Sequence, residues 1–226
     1  MRGIFVTGTD TGVGKTVTSA VVLAAIRKFG PAGYWKPVQT GIENDDDTAE
    51  VERLADGSAE EIAQDGIRLP RPLSPHLAAR LAGRSLRIEQ LMEMAGRLDS
   101  RRFWVVEGAG GLLVPLNDTE MMADLIRSLG LPGLITARSG LGTINHTLLT
   151  VSEMRRRGIP IAGVVLVGEP NTENRRAIER YGGVDVLAEL PVLKRLVAGA
   201  IEAEGLRAAG QLRQLVHGSQ AQASTA

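Results

Sequence analysis

The chain has 226 residues, 43% of them hydrophobic, which is enough to bury a full core, and we expect one domain over residues 1–216. Lys plus Arg and Asp plus Glu number 26 each, so no net charge favours nucleic acid or an anionic membrane surface. The lack of cysteine excludes thiol catalysis, thiolate metal sites and disulfides. We find no signal peptide and no apolar run near the ~18 residues of a membrane span, so we expect a cytoplasmic protein with a small-molecule partner.

Six short apolar runs, each bounded by Gly, Pro or polar residues, predict buried strands. In chain order they are GIFVTGT, AGYWKPVQTG, RFWVVEGAGG, LPGLITARSG, IPIAGVVLVGE and VDVLAELP. Apolar residues at helical spacing predict helices over 16–29, 48–55, 75–82, 88–98, 120–129, 144–157 and 172–181. This alternation predicts an α/β fold, with a doubly wound, mainly parallel sheet flanked by helices and ligand groups at the carboxyl ends of the strands.

Two segments fall outside this alternation. Residues 65–91 carry Pro70, Pro72 and Pro75, and we expect this stretch to bridge strands over the surface before its helices begin. The segment 217–226, HGSQAQASTA, has no large apolar residue and no visible period. We predict that this tail is disordered.

The stretch GTDTGVGKT indicates a phosphate-binding loop of the P-loop NTPase type. Gly14, Lys15 and Thr16 follow the first predicted strand and open the first predicted helix. There, backbone N–H groups and the helix dipole bind phosphates, the lysine reaches the β- and γ-phosphate oxygens, and the threonine binds Mg²⁺. The usual pattern has glycine at the place of Thr9, whereas Gly8 comes one residue early. The alternative is a strand-to-helix turn that holds a lysine by chance.

Polar residues at other strand ends are candidates for catalysis and metal binding. Lys36 precedes Pro37, which should end its strand, and its ammonium could bind a transferring phosphoryl group, although a lone lysine is more often a surface residue. Three aspartates at 45–47 precede a helix, where helix capping and Mg²⁺ binding are both open. Glu107 ends the run FWVV before GAGG, so its carboxylate could hold Mg²⁺ while bare backbone lets phosphate approach.

His76, His146 and Asn145 are ambiguous. Each histidine is more typical of a helix end or of packing than of a general base, because no second histidine or acid stands at a spacing that would form a dyad. Asn145 stands at the head of a predicted helix, where capping is the ordinary role. Three histidines and no cysteine give no cluster of the zinc type.

The motifs GTDTGVGKT, WKPVQTG, DDDTAEVERL, LSPH, VVEGAGGLLVPL and GTINHTLLT occur in this order and closely resemble those of the dethiobiotin synthetase family. The resemblance covers about the first two thirds of the chain and includes the early glycine of the loop. It implies a ligase of biotin biosynthesis that closes a cyclic urea on 7,8-diaminopelargonate with CO₂ or bicarbonate, using ATP and Mg²⁺. It also implies a homodimer.

The resemblance further implies a role for each matching residue. Lys36 and Lys15 would be catalytic, and Thr11, Thr40 and Asn145 would bind substrate, with Asn145 near the dimer interface. Mg²⁺ would be held by Thr16, Asp47 and Glu107. The nucleotide would be bound by Gly12, Val13, Gly14, Lys15, Thr16, Val17, Asp47, Glu107, Gly108, Ala109 and Gly110, with Gly168, Glu169, Pro191, Val192 and Leu193 at the base.

The implied chemistry needs no protein nucleophile. One substrate amine takes up CO₂ as a carbamate, a carbamate oxygen attacks the γ-phosphate, and the second amine displaces phosphate to close the ring. Lys15 and Lys36 beside Mg²⁺ would offset the repulsion among the anionic groups.

Two positions depart from the family pattern. Gly12 stands where many members have an acid that orients substrate. Val167 and Gly168 stand where many members have an asparagine that reads adenine. We therefore expect weak discrimination among nucleoside triphosphates.

The alternative function is a regulatory P-loop ATPase that acts as a nucleotide-dependent dimer switch. Such proteins resemble the pattern K-G-G-x-G-K-T, whose first lysine reaches across the dimer, and Asp10 occupies that place in this chain. A GTP-binding switch would need the guanine-reading pattern N-K-x-D, which this sequence does not contain. ATP hydrolysis measured with and without the diamine separates a synthetase from a switch or a simple binding module.

Overall fold

The structure is a computed structural model that describes the backbone of residues 1–223 and the side chains of residues 1–216. Its strands are β1 (Arg2–Gly8), β2 (Ala32–Trp35), β3 (Val38–Thr40), β4 (Ile62–Ala63), β5 (Ile67–Leu69), β6 (Phe103–Gly111), β7 (Gly133–Arg138), β8 (Ile161–Val167) and β9 (Val186–Leu190). Seven of them form one parallel sheet in the order β4-β2-β6-β1-β7-β8-β9. The carboxyl ends of these strands therefore share one edge, which confirms the predicted fold class.

Helices cover both faces of this sheet. They are α1 (Lys15–Ile26), α2 (Asp47–Leu54), α3 (Pro75–Leu81), α4 (Ile88–Ala95), α5 (Met122–Leu129), α6 (Thr143–Arg156), α7 (Thr172–Gly182) and α8 (Ala198–Ala223). Ile4 and Val6 of β1 pack in one apolar cluster with α1, α2 and α8, whereas Phe5 packs in a second cluster with α3 to α7. This alternation is that of a strand buried on both faces.

All seven predicted helices are present with shifted ends, but the sequence pattern does not predict α8. This helix contains Gly199, Gly205 and Gly210, and glycine is unfavourable inside helices. Packing against α1 supplies the missing stability: a Cβ on Gly205 would lie 3.0 Å from Ala24 Cβ and 3.2 Å from Ala25 N. The glycine thus lets the two helices approach closely.

The run AGYWKPVQTG forms two strands and not one. Pro37 lacks an N–H group and follows β2 as predicted, and the chain then enters β3. β3 pairs with β5 in a separate two-stranded sheet. The predicted surface bridge over 65–91 is therefore wrong at β5, where Leu69 is buried. Three residues with Arg68 in the middle are too few to show a strand period.

The segment 217–226 overlaps α8, whose backbone continues to Ala223, and the disorder of this tail stays a prediction. Alanine and glutamine favour helix, which explains how α8 continues without large apolar residues. Residues 224–226 lie outside the described residues. The boundary of the single domain at 216 stays a prediction. In the described part of the chain, every helix is too short or too polar to cross a membrane.

Candidate active site

The loop between β1 and α1 has the geometry of a phosphate-binding loop. Gly14, directly before α1, is left-handed with a φ of 93°, a conformation that favours glycine. Lys15 is the first residue of α1 and is buried, and its Nζ donates a hydrogen bond to Asp10 O at 3.1 Å. Thr9 N donates to Thr136 O at 3.0 Å, which ties the loop to β7. The first turn of α1, KTVT, contains no acid of its own, and its positive end faces the loop.

Four side chains from separate elements meet beside this loop, and we call Thr16, Lys36, Asp47 and Glu107 the ion-pair cluster. Lys36 Nζ lies 2.6 Å from Asp47 Oδ2 and 2.8 Å from Glu107 Oε1, and it donates to Gly108 O at 3.1 Å. Thr16 Oγ1 donates to Asp47 Oδ1 at 2.8 Å and lies 3.2 Å from Glu107 Oε1. Lys36 is 2% exposed and Glu107 is 0% exposed, so little water screens their attraction.

Of the two roles that the sequence leaves open for the three aspartates, the structure shows helix capping by Asp46. Asp46 Oδ1 accepts hydrogen bonds from Thr48 N at 2.9 Å and Ala49 N at 3.2 Å, and so caps α2. Asp47 is the first residue of α2 and turns its carboxylate into the ion-pair cluster. Asp45 is exposed. Asp46 therefore caps the helix, and Asp47, the next residue, belongs to the ion-pair cluster.

Glu107 lies inside β6 and not at its end, which corrects the sequence prediction. β6 continues to Gly111, and Glu107 pairs with Val6 of β1 directly before an irregularity in the pairing. A Cβ on Gly108 would lie 2.8 Å from Phe5 Cε1. The first glycine after Glu107 therefore serves close packing inside the sheet. Contact of Gly108, Ala109 and Gly110 with a nucleotide stays a prediction.

Burial and charge act in opposite directions on the pKa values of the ion-pair cluster. Burial alone would lower the pKa of Lys36, but the carboxylates of Glu107 and Asp47 raise it above its ordinary value. Burial alone would raise the pKa of Asp47, but Lys36 lowers it below its ordinary value. Burial, together with the charge of Lys36, lowers the pKa of Lys15. Lys36 and Asp47 therefore remain charged as a pair at neutral pH.

Two residues that contact the ion-pair cluster, Tyr34 and Arg68, belong to no motif that the sequence analysis singles out. Tyr34 Oη donates to Glu107 Oε2 at 3.1 Å, and burial, then the charge of Glu107, raise the pKa of Tyr34 well above its ordinary value. Arg68 donates to Lys36 O at 2.9 Å and to Thr48 Oγ1 at 3.0 Å, which fixes the small sheet to α2. A polar group inside an apolar strand is the sequence feature that could have indicated Tyr34 and Arg68.

Oxygen donors in the ion-pair cluster suit a magnesium ion. The described residues contain no group of three or more His, Cys, Asp or Glu side chains that could hold a metal ion. However, the carboxylates of Asp47 and Glu107 both lie within hydrogen-bond distance of the Thr16 hydroxyl. Mg²⁺ prefers oxygen ligands and commonly binds one or two carboxylates together with substrate phosphates. The three side chains therefore fit Mg²⁺ that is bound with a nucleotide.

A cavity of about 330 Å³ lies beside the phosphate loop. Its lining residues come from the loop, from the segment that includes the end of β6 and from α6: Gly8, Thr9, Asp10, Thr11, Gly111, Leu112, Leu113, Val114, His146, Leu149, Thr150 and Glu153. Of these, Thr11 is a predicted substrate residue. The sequence does not predict the leucines: Leu149 lies on α6, where leucine ordinarily packs in the core, and Leu112 and Leu113 lie in the turn after β6. Leu149 is nevertheless 61% exposed.

The other predicted polar residues differ in position. Thr40 ends β3 and is half-buried, whereas Asn145 is exposed in the first turn of α6. Gly142 occupies the cap position of α6, so the capping role of Asn145 is wrong. His146 is exposed and lines the cavity, so it is not a packing residue. His76 lies in the first turn of α3, and its Nδ1 is buried without a hydrogen-bond partner in the described part of the chain.

The residues predicted at the base follow β8 and β9. Gly168 N donates to Leu190 O at 2.9 Å, which joins the ends of these two strands. Gly168 has a φ of 137°, and a Cβ there would lie 2.3 Å from Ser139 Oγ, so glycine is required. Glu169 and Val192 are exposed, and Pro191 and Leu193 are half-buried. Their contact with a base stays a prediction.

The parallel sheet and its phosphate loop define a nucleotide-binding protein of the P-loop class. Solved structures with a similar fold include the cell division ATPase MinD of Pyrococcus furiosus, with a TM-score of 0.59 and 17% identity over 96% of this chain and 99% of that chain. The ParA family ATPase of Chlorobium tepidum TLS has a TM-score of 0.57 and 10% identity over 91% of this chain and 98% of that chain. At these identities the likeness concerns the fold alone.

Relatives with much higher identity give the family. The ATP-dependent dethiobiotin synthetase BioD of Paramagnetospirillum magneticum is 48% identical over 201 residues, 89% of this chain and 93% of that protein. The protein of the same name from Brucella ovis is 47% identical, over 85% of this chain and 87% of that protein. The biotin biosynthesis bifunctional protein BioCD of Bordetella avium is 46% identical over 89% of this chain and 42% of that protein. A family model described as an AAA domain matches residues 2–200. The chain belongs to the dethiobiotin synthetase family.

Proposed function

We propose that the protein is a carbon–nitrogen ligase that makes dethiobiotin from 7,8-diaminopelargonate, CO₂ or bicarbonate and ATP, in biotin biosynthesis. Membership of the family supports the reaction. The structural observation that carries the proposal is the pair of buried lysines, Lys15 in the phosphate loop and Lys36 in the ion-pair cluster. Two fixed cations are what a reaction among anionic groups requires.

The triphosphate would lie along the phosphate loop. The backbone N–H groups of residues 12–17 and Lys15 would bind the phosphate oxygens. Thr16, Asp47 and Glu107 would hold Mg²⁺, which when bound neutralises phosphate charge. Lys36 directs its three N–H groups at Asp47, Glu107 and Gly108 O, so its positive charge beside the Mg²⁺ ligands would offset the negative charge of the transferred phosphoryl group.

The cavity beside the phosphate loop is the proposed diamine site. Leu113 and Leu149 give it an apolar wall that suits an aliphatic chain, and Asp10 and Thr11 place polar groups at the loop side for the amines. Thr40 is the third proposed substrate residue, on the support of its motif. An apolar pocket with few polar groups at one end is typical of small-molecule sites.

The proposed reaction has three steps. An amine nitrogen adds to the carbon of CO₂ and loses a proton, which gives a carbamate. A carbamate oxygen then attacks the γ-phosphorus, and ADP leaves. The second amine attacks the carbamate carbon, and inorganic phosphate leaves as the cyclic urea closes. Lys15 and Lys36 offset the repulsion between carbamate and triphosphate, and their burial fixes them in place without a protein nucleophile.

We further propose a homodimer with its interface at the start of α6. Leu141 is 100% exposed, and the two cavity leucines, Leu113 and Leu149, are 51% and 61% exposed. Exposed apolar side chains beside a polar rim are typical of protein interfaces. Asn145, exposed on the same helix, would reach the carboxylate of the substrate at that interface. Leu149→Glu should lower the mass of the particle in sedimentation.

The test is fixation of radioactive bicarbonate with 7,8-diaminopelargonate, ATP and Mg²⁺. Acid-stable label should appear in a product with the mass of dethiobiotin, and Lys36→Ala should reduce it by about 100-fold or more. Lys28→Ala is the matched control, because Lys28 forms an exposed ion pair with Glu202 and should leave fixation unchanged. No fixation by folded, nucleotide-binding protein would reject the reaction.

The regulatory ATPase is the second candidate, since its fold is similar. That function would show as ATP hydrolysis of the same rate with and without the diamine. A synthetase should consume ATP in step with dethiobiotin formation.

A further inference from the structure

Tyr34 lies in β2, two residues before Lys36, and has no part in the proposed reaction steps. Its backbone is paired on both sides, with Val105 of β6 and with Ile62 of β4. Its side chain is 0% exposed and belongs to the apolar cluster that also contains residues of α1 and α2. Close packing on all sides gives the phenol hydroxyl a fixed position.

The two carboxylate oxygens of Glu107 have different hydrogen-bond partners. Tyr34 Oη donates to Oε2 at 3.1 Å, whereas Oε1 accepts from Lys36 Nζ at 2.8 Å and lies 3.2 Å from Thr16 Oγ1. Among the described residues, Tyr34 makes the one hydrogen bond to Oε2. The terminal torsion of a glutamate is broad, and a carboxylate held at one oxygen alone can still turn about that oxygen, so the bond from Tyr34 to Oε2 fixes the plane of the carboxylate.

We propose that Tyr34 is a positioning residue that holds Glu107 with Oε1 toward Thr16 and the phosphate loop, and so strengthens binding of the divalent cation. The proposal rests on the proposed function, in which Glu107 is a metal ligand. Removing a group that hydrogen-bonds a metal ligand commonly weakens metal binding by about 10–100-fold. Without the hydroxyl, Oε2 would be a buried charged oxygen that lacks a donor, and the plane of the carboxylate would no longer be fixed at its second oxygen.

The test is binding of Mn²⁺ to the full chain with a non-hydrolysable ATP analogue, followed by the electron paramagnetic resonance signal of free Mn²⁺. Tyr34→Phe keeps the ring and removes the hydroxyl, and should weaken Mn²⁺ binding by about tenfold or more. In steady-state assays the KM for Mg²⁺ should rise, while kcat at saturating Mg²⁺ is retained. An unchanged Mn²⁺ affinity would overturn the proposal.

Trp104→Phe is the matched control. Trp104 is also buried in the sheet, on β6, and its Nε1 donates to Asp99 O at 2.9 Å, outside the ion-pair cluster. This variant should bind Mn²⁺ as the parent does. Equal weakening in the two variants would overturn the proposal, because a general loss of rigidity would then explain both results.

A double variant tests whether Tyr34 acts on metal binding through Glu107. In a Glu107→Gln background, Tyr34→Phe should cause no further loss of Mn²⁺ affinity, because the ligand that it positions is already changed. A further tenfold loss would overturn the proposal. None of these binding measurements uses the diamine. Failed bicarbonate fixation with the expected Mn²⁺ results would therefore reject the proposed reaction and leave the role of Tyr34 standing.

Discussion

The side chains on the phosphate side and on the base side of the proposed nucleotide site differ in burial and in charge. On the phosphate side, Lys36 binds Asp47 and Glu107 at 2.6 and 2.8 Å, and the lysine is buried. On the base side, Gly168 offers only backbone, and Val192 is 67% exposed. The fold thus places buried charge where the phosphates are proposed to bind, and few side-chain hydrogen-bond groups where the base is proposed to bind. This difference predicts that substitutions on the phosphate side lower the free energy of unfolding most.

The largest effect on stability should come from Lys36→Met, which keeps much of the volume and removes the charge. Two carboxylates then lose their cation, and breaking a buried ion pair by removing one partner costs roughly 3–5 kcal/mol. Urea unfolding at neutral pH measures this loss. Lys28→Met is the control, since its ion pair with Glu202 is exposed and should contribute about 1 kcal/mol or less. Equal losses in the two variants would contradict the distinction between buried and exposed pairs.

A smaller loss should follow Gly168→Asn on the base side. Asparagine at this position would require a φ of 137° and would place its Cβ 2.3 Å from Ser139 Oγ. We expect the free energy of unfolding to fall by about 1–3 kcal/mol, and the preference for ATP not to improve. Urea unfolding and kcat/KM with ATP and CTP measure the two effects. Unchanged stability together with a sharper preference for ATP would show that the loop accepts an adenine-reading side chain.

The ion-pair cluster should also give a pH-dependent contribution to stability. Burial would raise the pKa of Asp47, but Lys36 lowers it below its ordinary value of 3.8. A carboxyl group whose pKa is lowered by folding stabilises the protein above its unfolded value, and this contribution is lost as pH falls through the folded value. The parent should therefore exceed Asp47→Asn in free energy of unfolding at pH 7, and the gap should narrow below about pH 4. A constant gap in urea unfolding down to pH 2 would contradict this.

The sequence predicts the parts of the site more fully than their arrangement. Lys36 before Pro37 and Thr16 after Gly14 are local features, and the structure has both as expected. The separate tasks of Asp46 and Asp47 are not visible in a run of identical residues, because they depend on which carboxylate faces the cluster once α2 has packed.

Long-range packing explains the remaining features that the sequence does not predict. Tyr34 contacts Glu107 across 73 positions of the chain, and no local pattern reports such a contact. The same holds for α8, whose glycines disfavour a helix until Gly205 meets α1. The exposed leucines of the cavity are of a residue type that ordinarily packs in the core, so only the fold distinguishes them from buried leucines.

The smallest effect should be the choice of nucleotide. A site that reads a substrate by dedicated hydrogen bonds can reject analogues by about 10⁴-fold, whereas a pocket without them discriminates by roughly 10-fold to 200-fold. Of the predicted base residues, Gly168 has no side chain for this purpose, Pro191, Val192 and Leu193 have apolar side chains, and Glu169 alone carries a polar one, which is exposed. We therefore expect kcat/KM for ATP, CTP and GTP to agree within about 200-fold. A loss of 1000-fold or more with CTP or GTP would show that backbone groups, or residues elsewhere at this edge, read adenine directly, and the contrast between the two sides of the site would then disappear.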